Sequence, residues 1–131
     1  MLSKGNNNST AGDGILKSRI IMDKLIQSLI QLSKDQPKGF TVDLNLNNVT
    51  EGFAVALFET QNSFGEDGLK KVVKIATEQN LKIGGWFSEK NQKFYWDAVK
   101  IINKKDEAVS YGKLNCQFAI YDLNNDEVII I

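Results

Sequence analysis

Two carboxylates, Glu59 and Asp97, stand where acid–base chemistry could be built. Glu59 closes the apolar run Gly52–Glu59, and Asp97 interrupts the run Phe94–Ile102. Two carboxyls facing one cleft support general acid–base catalysis, with Asn62 as a neighbouring hydrogen-bonding group. Nothing in the spacing brings them together, so Asp97 is expected to pair with a lysine or with Tyr95. The stretch Thr60-Gln61-Asn62-Ser63 is a second candidate, for binding. It precedes a helical pattern, where backbone N–H groups can receive an anion. Its everyday role is to cap that helix and satisfy loop backbone. Trp86, Tyr95 and Trp96 are the third candidate, since aromatics on adjacent strands can stack bases. Lys93-Phe94-Tyr95-Trp96-Asp97 lacks the glycine positions of the RNA-recognition signature, so core packing is their expected use.

Composition removes other chemistries. The 131 residues include no histidine and one cysteine, Cys116. Ser-His-Asp and Cys-His mechanisms are therefore excluded, as are imidazole metal sites, cysteine clusters and an internal disulfide. No metal and no cofactor is expected, and the Gly-rich phosphate motifs are absent. Sixteen basic residues balance sixteen acidic ones, which argues against a generic nucleic-acid binder. The balance is uneven along the chain: net +3 over 1–34, −5 over 35–68, +6 over 69–105 and −4 over 106–131. Such blocks usually mix on a folded surface. The start lacks the apolar core of a secretory signal, and no apolar run approaches the ~20 residues a membrane span needs. A cytoplasmic location is expected, where a lone thiol stays reduced. Fifteen of the sixteen basic residues are lysine, and Asn and Ile number thirteen each, a usage that suits an AT-rich bacterial gene.

The elements that must position these residues follow from periodicity. Residues 1–13 are Gly-, Asn- and Ser-rich and read as a flexible tail. Over 14–35 apolar residues recur at three- and four-residue steps, predicting an amphipathic helix stopped by Pro37 and Gly39. From Phe40 the period becomes two, giving a strand to Leu46. Gly52–Glu59 is apolar on both faces and predicts an interior strand. A helix follows over 66–80, strands over 81–87 and 92–102 joined by a hairpin turn at 88–91, a short helix to Asn115, and strands over 116–123 and 128–131. The prediction is a single α+β domain, 14–131, with its sheet core at 38–131. The sheet has five or six mainly antiparallel strands, and β-α-β-β-α-β order gives it a ferredoxin-like core. The N-terminal helix is an addition that either covers the second sheet face or pairs with another copy.

Gly52-Phe53-Ala54-Val55-Ala56, Glu59–Gly65, Ile83-Gly84-Gly85-Trp86, Tyr95-Trp96-Asp97-Ala98-Val99 and Gln117–Leu123 resemble a family of short uncharacterised proteins. That family belongs to gut anaerobes and their mobile elements. The resemblance spans roughly residues 38–131 and carries no catalytic signature. It implies an accessory, non-enzymatic module that binds a protein partner. The excess of apolar positions on the N-terminal helix, which the resemblance leaves outside, separately predicts self-association as a homodimer through that helix. A nucleic-acid-associated regulator is the first alternative. A hydrolase or transferase using Glu59, Asn62 and Asp97 is the second.

Overall fold

The computed structural model describes the backbone of residues 3–131 and the side chains of residues 14 and 16–131. Helix α1, Ser3–Asp35, ends where Pro37 and the left-handed backbone of Gly39 turn the chain. The helix assignment begins well before the expected start at 14. The expected mobility of 1–13 falls on residues whose side chains lie outside those described. Strand β1, Phe40–Val42, is shorter than its alternating pattern. The Asp43 carboxylate accepts the backbone N–H groups of Asn45 and Asn47, each at 2.9 Å, and curls the chain into a turn. Those bonds hold the Asp43 carboxyl below the usual range, the Asn47 N–H having the largest effect.

Strand β2, Phe53–Ala56, leads through a 3-10 turn at Phe58–Thr60 to the two-residue strand β3, Ser63–Phe64. Helix α2, Gly65–Gln79, closes on Asn80 in the left-handed region, and the Leu81 N–H bonds the Ala76 carbonyl at 2.8 Å. Strands β4, Lys82–Ser88, and β5, Lys93–Ile102, form the expected hairpin. Helix α3, Lys105–Leu114, and strands β6, Ala119–Asp122, and β7, Glu127–Ile130, complete the chain.

The strands make one curled antiparallel sheet in the order β1-β4-β5-β2-β6-β7, with β3 also paired to β5. Strand β2 is interior, as its apolar residues on both faces predicted, and joins β5 on one side to β6 on the other.

The core lies on one side of this sheet. Ile83 on β4 and Trp96 and Ala98 on β5 meet Leu69, Val72, Val73 and Ala76 of α2. Gly85 faces the same side and makes room there: a Cβ would sit 2.5 Å from the Phe94 ring. Phe40, Phe94 and Trp96 fill the space, with ring centroids 4.7–5.8 Å apart. A second cluster sets Ala108 of α3 on Val55 and Ile120.

Helix α1 joins the first cluster through Ile26 and Leu29, both buried against the α2 side. The expectation that this helix covers the second sheet face is thus corrected for its second half. It docks in its own chain, on the face that α2 already occupies. The other sheet face keeps no helix among the described residues.

Candidate site on the helix-free sheet face

Alternation along β5 decides which side chains reach that face. Phe94, Trp96 and Ala98 point into the core, so Lys93, Tyr95, Asp97, Val99 and Ile101 point away from it. The antiparallel register adds Trp86 opposite Tyr95, Gly84 opposite Asp97, and Phe64 of β3 opposite Tyr95 on the other side. The rings gather accordingly. Trp86 and Tyr95 stack at 5.4 Å, and Phe64 meets Tyr95 edge-on at 5.9 Å. Lys93 Nζ lies 4.0 Å from the Phe64 ring centroid, a cation–π contact. The Asn91 side-chain amide donates to the Tyr95 hydroxyl at 2.9 Å. Trp86 remains 47% exposed despite its stacking. With Phe64 44% exposed beside it, the cluster presents a partly open aromatic surface.

Asp97 lies beside these rings, with bare Gly84 across from it. Among the described residues no hydrogen bond and no ion pair reaches its carboxylate; the Lys70–Glu66 pair on α2 involves neither it nor its neighbours. The expected pairing of Asp97 with a lysine or with Tyr95 is therefore absent, and Tyr95 bonds Asn91 instead. Desolvation pushes the Asp97 carboxyl up to about 6. This carboxylate carries a charge that its own chain leaves unbalanced.

The remaining sequence candidates separate. Trp96 is buried in the core beneath the sheet. Thr60 is buried, donating its hydroxyl to the Leu57 carbonyl and accepting the Ala98 N–H at 3.1 Å. It thereby continues the β2–β5 ladder where the backbone leaves it. Ser63 is buried where β3 meets Trp96 of β5. Glu59, Gln61 and Asn62 are exposed, and Asn62 takes a left-handed backbone. No hydrogen bond joins Glu59 or Asn62 to Asp97 among the described residues. The first turn of α2 carries Glu66 and Asp67, which occupy the positive end of the helix dipole and oppose an anion there.

Two surface hollows among the described residues lie away from these rings. One of about 410 Å³ is lined by Asp106, Tyr111 and Leu114, the other of about 370 Å³ by Asn80, Lys82 and Ile101 among others. Neither contains a residue singled out from the sequence. Among the described residues no three His, Cys, Asp or Glu side chains could hold a metal, and no helix is long and apolar enough to cross a membrane. Cys116 is a free, exposed thiol.

Phe64 and Lys93 belong to the aromatic surface but escaped the sequence reading. Phe64 was hidden because the two-residue β3 looks like loop. Alternation from Tyr95 would have found Lys93. No protein-family model matches the chain, and no curated protein or solved structure matches it.

Proposed function

We propose that this chain is a non-enzymatic interaction module that takes a protein segment on its helix-free sheet face. The order β4-β5-β2-β6, antiparallel throughout, supports reading the core as ferredoxin-like, extended by β1 and β7 at its edges. In such a core the helices leave one sheet face free. The observation that carries the proposal is Asp97, a desolvated carboxylate without a cation, set next to the exposed Trp86–Tyr95 stack. Its complement is an apolar segment bearing one Lys or Arg, whose charge would meet Asp97 while its stem lies on the rings. An accessory module of the cytoplasm, like those of mobile elements that the sequence resembles, suits this reading.

A random peptide pool selected on the folded chain tests it. Enriched peptides should carry Lys or Arg among apolar residues. Asp97→Asn should weaken them by about tenfold, and Trp86→Ala by as much or more. Because a bound cation favours the ionised carboxylate, affinity should fall as pH drops through about 6. Peptides indifferent to both substitutions would refute the site.

Lys93 against the Phe64 ring, beside the exposed stack, favours one second reading, a single-stranded nucleic acid lying on the same face. Oligonucleotide affinity that falls steeply with salt and is lost in Trp86→Ala would establish it. The hydrolase or transferase alternative, built on Glu59, Asn62 and Asp97, has no supporting contact among them.

A further inference from the structure

The sheet ends at β7, and the outer edge of that strand has an unusual make-up. The Ile131 N–H donates to the Phe118 carbonyl at 2.9 Å. Given the β6–β7 register, the backbone groups of Ile129 and Glu127 also point inward to β6. Those of Val128 and Ile130 therefore point outward, and among the described residues they have no partner. The side chains of the same two residues, 63% and 77% exposed, stand on the helix-free face. Phe118, bonded to the end of the strand, is 82% exposed. Natural edge strands are guarded by lysine, proline or a bulge. Glu127-Val128-Ile129-Ile130 carries none of these, and its one charge lies at its first position.

We propose that β7 pairs antiparallel with β7 of a second copy of this chain, joining the two sheets edge to edge. The strand is self-complementary in one register. Placing Ile129 on the two-fold axis sets Val128 opposite Ile130 of the partner copy and Ile130 opposite its Val128. Every outward N–H and carbonyl of the two residues is then used. The alternative centred on Val128 sets Ile130 opposite Asp126 in the turn and uses half of them. The chosen register also brings both Val–Ile pairs together on one face, where cross-strand apolar pairs stabilise a sheet. The two Glu127 carboxylates lie at opposite ends and do not oppose each other. The helix-free faces of both copies become one continuous surface. The pairing depends on no ligand and stands whether or not the peptide reading holds.

Sedimentation equilibrium of the full chain tests it, between about 5 and 500 µM, the range expected of a small interface. The mass should rise from 14.7 kDa toward twice that. Over the same range the Val128 and Ile130 amides should gain protection from hydrogen exchange, while Ile129 is already protected at the lowest concentration. Val128→Pro removes an outward N–H that the chain itself does not use, and Ile130→Lys installs a guard charge. Both should remain monomeric at all concentrations, with far-UV spectra unchanged. Ile21→Lys, on the exposed part of α1, should dimerise normally. Should Val128→Pro fail to fold, Ile130→Lys and the amide protection decide. A wild-type chain monomeric throughout would overturn the proposal. So would a dimer whose Val128 and Ile130 amides stay unprotected, or one lost in Ile21→Lys and kept in Ile130→Lys.

Discussion

At the scale of single residues, two polar groups in the sheet have opposite meanings. Thr60 is buried and fully used, and Asp97 is desolvated and unused. Thr60→Val keeps the shape but strands the Ala98 N–H, and should cost about 1–3 kcal/mol in urea unfolding; Thr60→Ser should restore most of it. Asp97 works against folding at neutral pH. Its folded-state pKa, about 6, lies above the ordinary aspartate value of about 4, so the native state binds more protons between those values. Stability should therefore rise as pH is lowered from 7 toward 4. Asp97→Asn should stabilise the chain by about 1–3 kcal/mol at pH 7.5 and flatten that slope, as denaturant midpoints at several pH values would reveal. Asp43 and Asp122 act in the other direction. Their carboxyls are held low by hydrogen bonds, for Asp122 chiefly from the Asn125 side chain. Their contribution is lost only below the ordinary aspartate range, and the window above pH 4 reports Asp97. A carboxylate kept at such a cost on an open face is consistent with a binding role.

At the scale of elements, β2 and α1 carry most of the consequences. Val55 on β2 is fully buried beneath α3, between two hydrogen-bonded neighbours. Val55→Asp places an unpaired charge there and should abolish the cooperative thermal transition, because the penalty matches the whole stability of a small domain. A midpoint within a few degrees of the parent would contradict the strand order. Helix α1 divides into two parts. Ile26 and Leu29 dock on the α2 layer, while Leu16, Ile20 and Ile21 remain exposed. Leu29→Ala should cost about 2–5 kcal/mol, the range for emptying a closed apolar site, and should leave the Trp86–Tyr95 surface intact.

At the scale of the whole molecule, the three helices share one side of the sheet, and among the described residues no helix covers the other. This asymmetry gives α1 a predicted part in stability. A chain beginning at Lys38 would uncover the face of α2 on which α1 packs, with Ile26 and Leu29 gone from the first cluster. Each such side chain is worth about 1.5–3 kcal/mol of burial, so the truncated chain should be insoluble or lose its sharp transition. A soluble, equally stable product would show that the α1 contact carries no energy. The same asymmetry gives the domain two unfinished surfaces, the aromatic face around Trp86 and the bare edge at β7. Both are the surfaces on which the two proposals place association.

Periodicity and turn residues determined the element order apart from the two-residue β3, the β4–β5 hairpin and the interior place of β2, because each follows from the residues of its own segment. It also determined that Trp96 and Tyr95 must face opposite ways. Which of the two faces is covered was a tertiary decision. A period of two says which residues share a side, but the side that receives helices depends on how α1, α2 and α3 cross and pack, and those contacts join residues far apart in the chain. Asp97 shows the same division. Its place on a strand opposite in character to its neighbours was legible, but its missing partner emerged only when the register set glycine, not lysine, across from it. The end of β1 was likewise invisible in its alternation. Leu44 and Leu46 continue the apolar period, and the Asp43 turn overrides it because two backbone hydrogen bonds to one carboxylate outweigh a weak local preference.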